Sequence, residues 1–308
     1  MRQFFKFMLA SMVGTLLIGV VLIFLFIGSL AALAGSYSFK GKPTFVKDGS
    51  VLRFTLDQDV VDRGEQNDFD LDFGPFRGRS KVGLNDLLAD LEKAKTDDRV
   101  KGVFLDLGYV DARMATLKEL RDKVVEFRAE SGKPVVAFAD MYTQGTYYLA
   151  SAADQVYLVP EGDLDFRGLR SEMMFFKGLF NKLGVEMQFI RGSNNKFKSF
   201  GEVFTEDHMS DANRQQVTVL LNGLWDEYLN GISGQRKLDK AKLNGIAEGL
   251  QVRKADDAVQ LGMIDGVKYR DEVLALLKER MGLPADKDIN FVSENKYAKA
   301  HVPAAKKK

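Results

Sequence analysis

The sequence predicts an α/β fold, a mostly parallel sheet covered by helices, behind one N-terminal transmembrane helix. Two observations carry that prediction. Residues 7–39 contain no charged side chain. Beyond them, short apolar runs of strand length alternate with segments whose apolar residues recur at helical spacing. Such alternation is the pattern of strand–helix–strand units joined by right-handed crossovers.

The membrane segment comes first. Its most apolar part covers residues 8–34, longer than the about 20 residues needed to span a bilayer core. Arg2 and Lys6 precede it, and Lys40 and Lys42 follow. The leading pair places the N-terminus in the cytoplasm and the rest of the chain outside it. A cleaved signal peptide is the alternative, because Ala32-Leu33-Ala34 has the small-x-small form of a cleavage site. A signal peptide's apolar region usually has about 7–15 residues, which favours a retained anchor.

After a polar lead-in, Val51-Leu52-Arg53-Phe54-Thr55-Leu56 reads as a strand. Residues 62–80, rich in Asp, Gly and Arg, read as a loop. Leu84, Leu87, Leu88 and Leu91 form a helical stripe, and residues 103–107 a buried strand. Leu117, Leu120, Val124 and Phe127 mark the next helix, with Gly132 at its C-cap. Strands follow at 134–139 and 156–159, flanking a helix at 143–153. A helix is expected over 173–183, with Met173, Met174, Phe175 and Phe176 in the core, and a strand over 187–190. Ser210 suits the N-cap of a long helix running to Leu229. Further helices are expected over 239–247, 254–261 and 269–280. The resulting division is 1–39 as anchor, 40–283 as one α/β domain, and 284–308 as a polar tail or interdomain linker.

Composition excludes several kinds of chemistry. The net charge is +1, so no overall basic field points to nucleic acid. The chain has no cysteine, which rules out disulfides, a cysteine nucleophile and a lipoprotein anchor. Its two histidines, His208 and His301, make a histidine-based zinc site a poor fit. His208 precedes a helix cap, where a surface role is expected. No phosphate-binding glycine motif is present. Any hydrolytic chemistry would need a lysine or carboxylate base. Asp106 ends a buried strand, where hydrogen bonds to nearby backbone are its expected role. Ser151 reads as a helix residue, and Lys196 and Lys198 by local sequence alone as solvated loop charges.

Four segments together resemble one family. They are residues 98–107 (Asp-Arg-Val-Lys-Gly-Val-Phe-Leu-Asp-Leu), residues 132–137 followed by 144–151 (Gln-Gly-Thr-Tyr-Tyr-Leu-Ala-Ser), residues 195–199 (Asn-Lys-Phe-Lys-Ser) with Phe204 and Met209-Ser210 downstream, and residues 258–266. Their order and spacing behind one anchor are similar to the signal peptide peptidase A (SppA, protease IV) family, in the N-terminal half of its long, two-domain form. The resemblance implies a ClpP/crotonase-like fold. It also implies a Ser/Lys dyad split between two halves, with the lysine given by this half. Lys198 stands at the lysine position and Gln144 at the nucleophile position. The paired-glycine turn that helps build the family's oxyanion hole is replaced by Tyr109-Val110-Asp111-Ala112-Arg113. This half therefore lacks a complete catalytic centre of its own. A lysine acts as base only when neutral, so it must be desolvated or placed beside another cation. Phe197, Phe200, Phe189 and Ile190 around Lys198 suit that requirement, while Ser199, next to it in sequence, is more simply read as a residue without a catalytic role than as one that orients the amine.

Further implications concern partners and location. The substrates would be apolar peptides such as cleaved signal peptides. The partners would be a serine-bearing C-terminal half, the lipid bilayer and further copies in a tetrameric homo-oligomer, with no nucleic acid. No metal or organic cofactor is implied. The location would be the bacterial inner membrane, single-pass, with the domain on the periplasmic side. A non-catalytic crotonase-like scaffold that binds peptides or partner subunits is the competing reading, and the absent serine favours it. An acyl-CoA hydratase-type enzyme of the same fold fits less well, given the anchor and the missing glycines.

Overall fold

The structure is a computed structural model and describes residues 2–37, 45–64, 81–110, 112–190, 192 and 195–302. Two compact units divide the chain, Met1–Phe45 and Val46–Lys308. The first is helix α1 (Arg2–Tyr37), whose stretch Arg2–Ser29 has a mean hydropathy of 2.7. At about 1.5 Å per residue it is long and apolar enough to cross a membrane.

The second unit is built on a six-stranded parallel sheet of order β7-β6-β5-β4-β1-β8. The strands are β1 (Ser50–Leu56), β4 (Val100–Leu107), β5 (Val135–Tyr142), β6 (Gln155–Leu164), β7 (Gly266–Val267) and β8 (Asn290–Ser293). A parallel pair, β2 (Asp59–Val61) and β3 (Lys81–Gly83), lies outside it. Helices α2 (Leu84–Thr96) and α3 (Met114–Ser131) make the first crossovers, and α4 (Gln144–Ala150) and α9 (Ala255–Gln260) later ones. Successive strand residues face opposite sides of the sheet. Val103, Leu105, Val135 and Ala137 thus join the main core, while Phe104, Val136 and Phe138 join a second one. The second core is closed by Val273 and Leu277 of α10 (Arg270–Arg280). Gly132 ends α3 at φ 64, a left-handed conformation that suits a residue without Cβ.

Three expectations are corrected. No strand forms at 187–190; Phe189 is half exposed and Ile190 almost wholly so. The helix expected over 173–183 shrinks to α5 (Lys177–Lys182), and Met174 is exposed rather than in the core. Met173, Phe175 and Phe176 are half-buried, while Leu179 and Leu183 face outward with Met174. Residues 290–298 are not tail. They form β8, paired with β1, and α11 (Glu294–Ala298), which buries Tyr297. One buried valine, Val292, in a polar stretch is too short a pattern to show a strand.

This C-terminal strap is fastened by polar groups. Tyr297 donates its hydroxyl proton to Asp97 (3.1 Å), and Lys93 lies 4.2 Å over the Tyr297 ring. Asp90 on α2 and Glu294 on α11 are both buried, and each keeps one carboxylate oxygen without a hydrogen-bond partner. Burial pushes the Asp90 carboxyl up to about 6 against the pull of Lys93, with Asp86 and Glu294 adding to the rise. Burial also raises Glu294. Both groups hold protons more tightly when folded. Their stabilisation is therefore fully present below the ordinary carboxylate range and is lost as pH rises, for Asp90 through about 6. Asp90→Asn is expected to raise stability at pH 7.5 by on the order of 1–2 kcal/mol and to flatten the fall in melting temperature between pH 5 and 7.5. An unchanged pH slope in the variant would reject this.

Candidate active site

Gln144 opens α4 where β5 ends, at the carboxyl edge of the parallel sheet. Thr143 caps the helix by accepting the Thr146 backbone N–H (3.2 Å). The Gln144 side chain is committed to backbone. Its Oε1 accepts N–H groups from Arg167 (3.2 Å) and Gly168 (3.0 Å), and its Nε2 donates to the Gly168 carbonyl (3.4 Å). An amide can do this because it both donates and accepts, and it offers no nucleophilic oxygen. Across the sheet edge, the Gly108 N–H donates to the Leu56 carbonyl (2.8 Å), and Tyr109 beyond it is exposed. Asp111 of the same turn lies outside the described residues.

Lys198 sits elsewhere in the unit, on a turn in which its N–H donates to the Asn195 carbonyl (3.0 Å). The turn leads into α6 (Glu202–Thr205) and then α7 (Asp211–Arg236). Aromatic rings hold it together. Phe200 packs on Phe189 (6.2 Å) and Phe204 (6.0 Å), and Phe204 on Phe176 and Phe180. A Cβ on Gly201 would come within 2.6 Å of the Phe189 ring, so this close approach needs glycine. Lys198 itself is exposed, as are Phe197 and Phe200. The sequence suggested these aromatics as the shield for the amine, but the chain does not bury it.

The long helix supplies a rigid base. Ser210 caps α7 as expected, accepting the Asn213 N–H (3.2 Å). Its far half is buried through Tyr228, Leu229 and Ile232, and the Tyr228 ring meets Tyr148 of α4 at 5.2 Å. Sequence reasoning missed Glu202. It is buried, and its carboxylate accepts hydrogen bonds from the Ser210 hydroxyl (2.6 Å), the Ser210 N–H (3.3 Å) and Asn213 Nδ2 (3.0 Å). Its only signal was an acidic residue set between Phe200 and Phe204.

Other candidates have structural partners. Ser151 is fully buried and donates to the Tyr148 carbonyl (2.8 Å). His208 is exposed and pairs with Asp207. Asp106 is buried, but its partners are not backbone. Its Oδ2 accepts from Arg53 Nε (2.9 Å) and Arg270 Nη1 (2.9 Å), tying α10 to the sheet. Two guanidiniums satisfy a buried carboxylate better than the neutral amides its strand position suggested. Among the described residues no group of three or more His, Cys, Asp or Glu is placed to hold a metal ion.

Residues 128–284, from the end of α3 to just beyond α10, match the profile of peptidase family S49. That span is half of the chain and contains both Gln144 and Lys198. The chain belongs to peptidase family S49. Among its S49 relatives, the chloroplastic serine protease SPPA of Arabidopsis thaliana is 30% identical over 257 residues, 82% of this chain and 35% of that protein. Protease 4 of Haemophilus influenzae is 30% identical over 70% of this chain and 36% of its own length. Protease 4 of Salmonella typhi is 33% identical over 65% of this chain and 33% of its own. The chain thus spans about a third of the length of these curated relatives.

Proposed function

We propose that this chain is the lysine-donating half of a membrane-bound serine endopeptidase. Lys198 is its general base, and the serine it activates lies in a C-terminal half. The observation that carries this reading is the contrast between two positions. Gln144, at the helix start where a nucleophile would stand, is locked into backbone hydrogen bonds. Lys198 is presented at the surface on an anchored turn, among exposed apolar side chains. A second surface closing over that turn would remove water from the amine and let it lose its proton near neutral pH. Serine attack on a peptide carbonyl then becomes feasible, because the neutral amine takes the hydroxyl proton.

The exposed apolar residues support an assembly. Met174, Leu183, Ile190 and Phe200 lie along the segment around Lys198, and Val219 and Leu220 along α7. A soluble monomer rarely exposes so many large apolar groups unless a partner covers them. The same reading takes the partners to be the serine-bearing half and further copies in a tetramer. The substrates are apolar peptides such as cleaved signal peptides. The protein is held in the bacterial inner membrane by α1, with the second unit on the periplasmic side. The Gln144 lock also favours a scaffold that binds peptides without cleaving them, and a labelling experiment bears on both readings. The purified chain alone should show no labelling by a fluorophosphonate probe and no hydrolysis of casein. Labelling abolished by Ser151→Ala or Ser199→Ala would show a complete site in this half and overturn the split-dyad reading. With a serine-bearing half supplied, labelling of that half alone is the expected result; if neither half is labelled, the scaffold reading is the better one.

A further inference from the structure

Gln144 stands where a nucleophile would, and its side chain holds up a wall instead. Its amide closes on the segment after β6, accepting the Arg167 and Gly168 N–H groups (3.2 and 3.0 Å) and donating to the Gly168 carbonyl (3.4 Å). Gly168 has φ 85, a left-handed conformation that glycine adopts without strain. The segment 167–169 held in this way is one side of a cavity of about 210 Å³. The other sides are α7, through Leu221 and Trp225, and helix α8 (Lys240–Glu248), through Asn244 and Ala247.

The cavity has the size and the surface of a side-chain pocket. An apolar cavity of about 150 Å³ holds a benzene ring, whereas sites for whole small molecules run to about 300–1,000 Å³. A volume of about 210 Å³ therefore suits one group the size of a leucine or phenylalanine side chain. Leu169, Leu221, Ala247 and the Trp225 ring supply apolar surface. The polar edge of Trp225 is already satisfied, because its N–H donates to Asn244 Oδ1 (2.8 Å) and Asn244 Nδ2 donates in turn to Glu248 (2.6 Å). The ring is backed by Phe166 (5.3 Å) and Tyr228 (6.2 Å), so this side of the pocket is formed before any ligand arrives.

The backbone beside the pocket identifies what brings such a group. Residues 169–175 lead away from it without helix, strand or turn. Among the described residues they make no backbone–backbone hydrogen bond. Free N–H and C=O groups next to a side-chain pocket suit an extended peptide, whose main chain supplies affinity and whose seated side chain supplies specificity.

We propose that the Gln144 position builds a peptide-binding pocket in place of a nucleophile: the cavity between segment 167–169 and helices α7 and α8 takes one leucine- or phenylalanine-sized side chain of a peptide laid along residues 169–175. The proposal rests on reading the chain as part of a protein that handles apolar peptides. It gives this half a second task beside presenting Lys198, which is to grip the peptide away from the reacting bond. Gln144 acts there as a positioning residue, through the backbone of Arg167 and Gly168.

Trp225 is the only tryptophan of the chain, so its fluorescence reports on the pocket. The purified full chain in lipid nanodiscs is titrated with capped heptapeptides of serine and threonine that carry one central phenylalanine, leucine or alanine. Calorimetry repeats the titration. The phenylalanine and leucine peptides should shift Trp225 emission to saturation. The alanine peptide should bind at least about tenfold more weakly, the usual cost of leaving an apolar pocket unfilled. Leu169→Ser removes an exposed apolar wall. It should weaken the phenylalanine peptide about tenfold, with an unchanged melting temperature. Gln144→Ala frees Gly168 and should weaken binding to a similar extent, while the amides of β4 and β5 stay protected from hydrogen exchange. Equal affinity for the three peptides, or no heat with any of them, overturns the proposal. Unaltered affinity in either variant does the same. Turnover by the chain assembled with its serine-bearing half is read separately. Discriminating binding without turnover rejects the peptidase reading and keeps the pocket. Lys198-dependent turnover without discriminating binding rejects the pocket alone.

Discussion

Lys198→Ala, in the chain assembled with its serine-bearing half, is expected to remove nearly all peptidase activity. General-base contributions are typically about 10²–10⁴-fold, and loss of a dyad member can cost more. Lys198→Arg should be as severe, because a guanidinium stays protonated and cannot accept the serine proton. Lys196→Ala should change turnover little. That ammonium is exposed and lies 5.5 Å from the Phe197 ring centre, a contact of modest energy at the surface. Neither Lys198 variant should weaken the fold, because the side chain is exposed and contributes nothing to the core. The measurement is turnover of a peptide substrate, alongside thermal melting and size-exclusion profiles. Near-normal turnover in Lys198→Ala, with the assembly intact, would reject the dyad and leave the scaffold as the better reading.

The sequence made the sheet legible where burial is two-sided. Residues 103–107 and 134–139 are almost continuous apolar runs, as expected of parallel strands covered on both faces, and residues 51–56 alternate in part; they are β4, β5 and β1. Helix ends were legible where one residue type satisfies the geometry, at Gly132 and Ser210. The same reasoning failed at residues 187–190, because apolarity marks what is kept from water without saying what does the covering. It failed again at β8, an edge strand of four residues with a single buried side chain. The candidate site was legible only through the order of several motifs. Lys198 in isolation looks like any loop lysine, since what distinguishes it is the turn and the aromatic cluster around it. Glu202 was invisible because its carboxylate reaches residues 210 and 213, and a buried hydrogen-bonded carboxylate has no local signature.

A pair of glycines on one helix gives the largest expected change in stability. Gly223 and Gly231 both lie within α7. In an exposed helix interior, Gly→Ala stabilises by about 1 kcal/mol through backbone entropy. Gly223→Ala should show that gain, because nothing lies within 4 Å of its added Cβ. Gly231→Ala should show the opposite. Its Cβ would stand 2.4 Å from a ring carbon of Tyr148 and 3.2 Å from the Arg121 guanidinium. Neither neighbour can easily give way. Tyr148 is fully buried, and Arg121 is held by its bonds to the Tyr148 carbonyl (3.0 Å) and the Gly231 carbonyl. Forcing a methyl into such packing costs about 1–3 kcal/mol, sometimes more. Repulsion at this distance belongs at the upper end, so it outweighs the entropy gain and leaves a net loss of about 2 kcal/mol. Gly231→Val adds bulk and should lose about 3 kcal/mol or more. Urea unfolding at constant m-value is the measurement, with Gly223→Ala as the control. If Gly231→Ala is as stabilising as Gly223→Ala, then α7 does not pack on α3 and α4 at this crossing. The path from the core to Glu202 and Lys198 would then lose its foundation.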